Sequence, residues 1–208
     1  HLSSVISVCD READIYEYLH YKYLMEQRFL VRAKHNRLLK INKSYLFDEL
    51  KQTKSLGIYT IIVGQKGGRK ERQALIELKA LQVTLTPPRR QVEGLDELTP
   101  ITLTALLAQE VNTELEEPLQ WVLLTSEPIT CFEEARTIIR YYELRWKIED
   151  FHKAWKSGVG AEEQRMQSPE NLEKMVVILS FVAVRLLQLK EHFERQGQIN
   201  PSEEEQQS

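Results

Sequence analysis

The chain has 208 residues, enough for one large domain or two small ones, and its 42% hydrophobic share suits a globular protein with a sizeable core. No apolar run reaches the length that spans a bilayer, so a membrane is not an expected partner. The formal net charge of −3 argues against a general nucleic-acid binder, and Cys9 and Cys131 offer neither a metal-binding spacing nor a disulfide framework, which makes a reducing cytoplasm the default compartment.

The chain opens without the basic start of a secretory leader, so none is expected. Val5-Ile6-Ser7-Val8-Cys9 is a short, β-branched apolar run that reads as a buried strand ending at Asp10. Arg11 to Met25 reads as a helix, with Ile15, Tyr18, Leu19 and Tyr23 on its apolar stripe. Phe29 to Ala33 reads as a second strand. Strand, helix, strand is the unit of an α/β sheet. From residue 36 to about 126 the pattern is β-rich. Ile58 to Val63 is a strand, followed by a turn region holding Gly64, Gly67 and Gly68. Ala74 to Thr86 alternates in two phases, which predicts a long strand with a bulge near Ala80; Pro87-Pro88 ends it. Ile101 to Ala105 and Trp121 to Thr125 are further strands. Cys131 to Lys156 is one long helix or two joined ones, ended by Ser157-Gly158-Val159-Gly160. Ser168 caps a last helix with Pro169 in its first turn. That helix reads as a core helix, runs to about Glu194, and leads into a polar, disordered tail.

Charge is unevenly spread. Arg28, Arg32, Lys34, Arg37, Lys40 and Lys43 form a stretch without an acid, and Lys66, Arg69, Lys70 and Arg72 form a second cluster. Acids gather between Glu93 and Glu117 and at Glu203 to Glu205. The basic clusters read equally as solvated surface or as patches for a phosphate backbone.

The most informative segment runs from Tyr142 to Lys156. On a regular helix of roughly 100° per residue, Tyr142, Arg145, Glu149 and Lys156 fall within about 60° of one another. One carboxylate then shares a face with two cations and a phenol, beside an apolar stripe of Leu144, Ile148, Phe151 and Trp155 that anchors the helix. Carboxylates gathered from distant segments hold Mg²⁺, and paired ions of this kind activate a water and stabilise a leaving oxygen in phosphodiester displacement. Spacing alone equally admits an ordinary Arg145–Glu149 ion pair. Asp10 sits where a strand gives way to a helix, which suits a helix cap as well as a site at a strand's carboxyl end.

Asp10-Arg11-Glu12-Ala13-Asp14, following an apolar strand, resembles the second-aspartate motif of bacterial DDE transposases of insertion-sequence family four and their kanamycin-transposon relatives. Tyr142, Arg145, Glu149 and Lys156 match that family's YREK signature in full spacing. Phe151 to Lys156 and Leu179 to Leu186 are also similar to it, so the likeness covers most of the chain. The resemblance implies an α/β fold: an RNase H-like core (1–35 and 127–195) interrupted by an antiparallel β-rich insertion (36–126); the polar tail, 196 to 208, reads as disordered by its composition. It implies Asp10 and Glu149 as the second and third acidic ligands of Mg²⁺ or Mn²⁺. Tyr142, Arg145 and Lys156 would contact DNA near the cleaved end, and Trp121, otherwise a core residue, would stack on a flipped base. Arg32 and Lys34 resemble basic positions bordering the site, and His152 also looks family-like.

By the same resemblance the partners are double-stranded DNA, at transposon ends and target, and a second copy in the intact enzyme, acting in a bacterial cytoplasm at the nucleoid. The reaction is metal-dependent hydrolysis and strand transfer by cut-and-paste through a hairpin. The family's first catalytic Asp lies on an earlier strand, and the chain begins after it. The expectation is therefore a central catalytic piece, inactive by itself. The rivals are a catalytically dead DNA-binding or inhibitory fragment and a different RNase H-like nuclease.

Overall fold

A computed structural model describes residues 4–39, 44–63, 71–88, 98–111, 118–166 and 168–199. The glycine-rich turn expected at 64–68, Lys40, Lys43, Lys66, Arg69 and Lys70, and residues 200–208 of the tail lie outside them. The chain divides into two units, His1–Glu143 and Leu144–Ser208.

In the first unit, β1 (Ile6–Cys9) and β2 (Arg28–Arg32) lie parallel, with Cys9 opposite Val31. Between them come a 3₁₀ turn (Arg11–Ala13) and helix α1 (Tyr16–Leu24). The single helix expected from Arg11 is therefore broken at Asp14-Ile15. Its buried stripe is Tyr16, Leu19 and His20, while Ile15 and Tyr23 face solvent. Helix α2 (Leu46–Gln52) follows, then β3 (Gly57–Val63), β4 (Arg72–Leu85), β5 (Ile101–Val111) and β6 (Gln120–Thr125). All six strands form one sheet in the order β1-β2-β6-β5-β4-β3, antiparallel everywhere except at β1–β2. β1 is an edge strand, half-buried along its length rather than buried, because only β2 pairs with it.

Both faces of the sheet are covered, and this corrects the expected bulge. The pairing of β4 with β5 runs unbroken through Lys79–Leu107, Ala80–Leu106 and Leu81–Ala105. Ala74, Ile76 and Leu78 point into one apolar cluster with Ile138 and Ile139; Val83 and Leu85, of the opposite parity, point into the other with Leu19, Leu46 and Leu50. A strand's side chains alternate between faces. The change of phase at Ala80 therefore marks where β4 passes from beneath helix α3 (Phe132–Glu143) to beneath α1 and α2. α3 earns its place by strict amphipathicity: Ala135, Ile138, Ile139 and Tyr142 recur at helical spacing and are all buried.

The second unit is helical. A 3₁₀ turn (Leu144–Trp146) leads into α4 (Lys147–Lys153), a π-helical turn (Ala154–Gly158), a second 3₁₀ turn (Ala161–Glu163) and the long α5 (Pro169–Ile199). Gly160 takes φ +64, the left-handed geometry that glycine adopts without strain, and redirects the chain. Ser168 caps α5 as expected: its hydroxyl accepts from Asn171 N at 3.2 Å. α5 is not the core helix expected from its apolar run. Ala183 is fully buried, but Val177, Phe181 and Phe193 stand 60%, 70% and 65% exposed. Its apolar residues are distributed around the helix, and α4 with the π turn covers one side only. The helix continues to Ile199, beyond the expected end at Glu194.

Candidate active site

Asp10 follows the last residue of β1 with extended backbone (φ −85, ψ −174). Its carboxylate Oδ1 accepts Arg11 N at 2.8 Å and so caps the 3₁₀ turn. It also accepts the Tyr142 hydroxyl at 3.1 Å, across 132 residues of sequence. Tyr142 sits in the last turn of α3 and is 2% exposed. Burial pushes its phenol above the ordinary tyrosine value, the Asp10 charge adds to that, and Arg32 works in the opposite direction. Arg32 ends β2 beside Asp10, because the parallel register carries both strands to the same edge. Trp121, half-buried in β6, lies with its ring 6.2 Å from that of Tyr142 at 56°. Four of the residues singled out from the sequence therefore converge in the first unit: Asp10, Arg32, Trp121 and Tyr142. Lys34 lies just past β2, with its side chain exposed and its backbone N–H bonded to Asp14 Oδ2 at 2.7 Å.

The remaining signature residues belong to the second unit. Arg145 Nη2 meets Glu149 Oε1 at 3.2 Å, the i,i+4 ion pair that the spacing also allowed. The Arg145 guanidinium lies 4.7 Å over the Trp146 ring. Glu149 is half-exposed, and Lys156 pairs with Glu162 at 2.9 Å. The segment is not the regular helix on which the expected polar row depends. A 3₁₀ turn at 144–146 overwinds the segment and a π turn at 154–158 underwinds it, so the uniform 100° step does not hold across it. The apolar stripe is half-realised: Phe151 and Trp155 are half-buried, whereas Leu144 and Ile148 are 46% and 50% exposed. His152 is exposed and touches Phe151 edge-on.

The basic clusters are partly neutralised by partners that sequence reading did not find. Arg28 forms a two-pronged bond to Glu127, at 2.9 and 2.7 Å. Arg37 pairs with buried Asp14 at 2.6 Å, and Arg72 pairs with buried Glu110. Glu110 carried no signal beyond being an acid in an apolar stretch, and Asp14 none beyond its place in the Asp10–Asp14 motif. Among the described residues, no group of three or more His, Cys, Asp or Glu side chains could hold a metal ion. Asp10 and Glu149 are partly exposed carboxylates of the kind Mg²⁺ prefers, one in each unit.

The sequence matches the transposase DDE domain family over residues 13–185, well over half of the chain. The protein belongs to the DDE transposases, enzymes of DNA transposition that generally employ divalent metal ions. The matched span takes in Arg32, Lys34, Trp121, Tyr142, Arg145, Glu149 and Lys156, and begins beyond Asp10. No described helix is long and apolar enough to cross a membrane.

Proposed function

We propose that this protein is the catalytic domain of a cut-and-paste transposase of insertion-sequence family four, with Asp10 and Glu149 as two of its acidic metal ligands. The single observation that carries the reading is the Tyr142–Asp10 hydrogen bond, which joins the second-aspartate motif to the first residue of the YREK signature. On this reading β1 and β2, with α1 between them, belong to an RNase H-like core, and β3 to β6 are its insertion. Bound Mg²⁺ or Mn²⁺ would supply charge neutralisation and an acidified water.

The protein's own groups do the rest. Asp10 and Glu149 would hold the ion. Arg32, Lys34, Arg145 and Lys156 bind and orient the phosphate backbone of a transposon end. Tyr142 keeps Asp10 oriented and contacts the same end. Trp121 offers an aromatic face to an unstacked base. The enzyme acts on double-stranded transposon ends and target DNA as a homodimer, through hydrolysis, a hairpin and strand transfer. Cleavage is assayed in a transposase that carries the full set of acidic ligands.

Glu149→Ala in that protein abolishes Mg²⁺-dependent cleavage of an end-containing duplex, measured on a labelled strand, and leaves end binding within about twofold, because several phosphate contacts remain. Cleavage at the parental rate by the variant contradicts the assignment.

A further inference from the structure

Asp14 is the most completely engaged carboxylate among the described residues of the first unit, and nothing in the proposed chemistry uses it. It is 2% exposed, in the gap between the Asp10 turn and α1. Its Oδ2 accepts two consecutive backbone amides, Lys34 N at 2.7 Å and His35 N at 2.8 Å. Its Oδ1 accepts Arg37 Nε and Nη2 at 3.2 and 2.6 Å, and its backbone carbonyl accepts Arg37 Nη2 at 2.8 Å. Asp14 N in turn donates to Arg11 O at 3.1 Å, inside the turn that Asp10 caps. One residue thus ties the turn carrying Asp10 to the loop that leaves β2. An exposed loop held by backbone amides alone would sample many conformations; a buried carboxylate taking adjacent amides and a guanidinium fork selects one.

We infer that Asp14 is a positioning residue that fixes the Lys34 loop against the Asp10 turn, so that the Lys34 ammonium meets a DNA phosphate beside the active site. The inference rests on the proposed role of Lys34 as a DNA contact. Asp14 touches no substrate itself and acts through the backbone of Lys34. Arg37 is spent on the clamp and takes no phosphate.

The test is binding of this chain to a short labelled duplex by fluorescence anisotropy, over a range of salt concentrations. Lys34→Ala lowers the slope of log affinity against log salt by about one, the mark of one lost phosphate contact. Asp14→Asn keeps an acceptor for the amides but loses the ion pair, and lowers the slope by a similar amount. The double variant binds within about twofold of Asp14→Asn alone, since coupled residues do not add. Arg37→Lys keeps the charge and gives up the fork, and shows the same coupling to Lys34 if Asp14→Asn does not fold. Losses that multiply in the double variant, with a normal slope for Asp14→Asn, overturn the inference and leave the reading of Lys34 intact. A Lys34→Ala variant that binds as the parent does overturns both.

Discussion

Glu110 is 4% exposed in β5, and a charge at such a position needs partners. Arg72 donates through both terminal nitrogens, one to each carboxylate oxygen, and Leu119 N adds a bond at 3.1 Å. The Arg72 fork holds the Glu110 carboxyl below the ordinary value of 4.5, against the opposing effect of burial. The folded value lies below the unfolded one, so this contribution is complete above about pH 4.5 and is lost as pH falls through the lower folded value. Glu110→Gln therefore lowers stability at neutral pH by about 1–3 kcal/mol, towards the low end because Arg72 is one-third exposed. Urea melts of both proteins measured from neutral pH into acid should converge as Glu110 becomes protonated in the parent. A gap that is constant with pH contradicts the account. At this scale the sequence was informative about cations and mute about their partners. Arg28, Arg37 and Arg72 stood out as basic runs, but Glu127, Asp14 and Glu110 come from elements that only the folded sheet brings near.

β3 and α3 meet at a point where no side chain fits. Gly57 opens β3, and a Cβ built there would lie 2.6 Å from Phe132 Cδ2, at the start of α3. Gly57→Ala must displace a ring packed against the sheet, which costs about 1–3 kcal/mol. Thermal unfolding should show a lower midpoint, and Gly57→Ala with Phe132→Leu should recover part of the loss. An unchanged midpoint for the single variant contradicts the contact. Element type was legible wherever one period dominated: the buried positions of α3 follow a helical wheel, and those of β3 alternate. It was misread where two environments share an element. The two phases of β4 are two covered faces, not a bulge, and a pattern of polarity cannot tell one from the other. The Tyr142–Lys156 wheel assumed a uniform twist that the 3₁₀ and π turns do not keep. α5 carries apolar residues around its circumference, which sequence reading takes for deep burial although most of its described side chains are exposed.

The first unit is a six-stranded sheet with an apolar cluster on each face, and the second unit is helical. Strand, helix, strand at the start gave the α/β class directly. That β3 to β6 extend the same sheet as β1 and β2 was not legible, because strand order depends on pairings between distant segments. The pairing of Asp10 with Tyr142 is a long-range fact that only the fold could supply. On the proposed function, a single ion would take both Asp10 and Glu149. Replacing Mg²⁺ by Fe²⁺ and adding ascorbate and peroxide generates hydroxyl radicals at the bound ion, which cut the polypeptide nearby. Mass spectrometry of the fragments should locate breaks beside Asp10 and beside Glu149, and Asp10→Ala should remove both sets together. Breaks beside Glu149 that persist in Asp10→Ala, or a pattern that avoids either residue, would contradict the shared site.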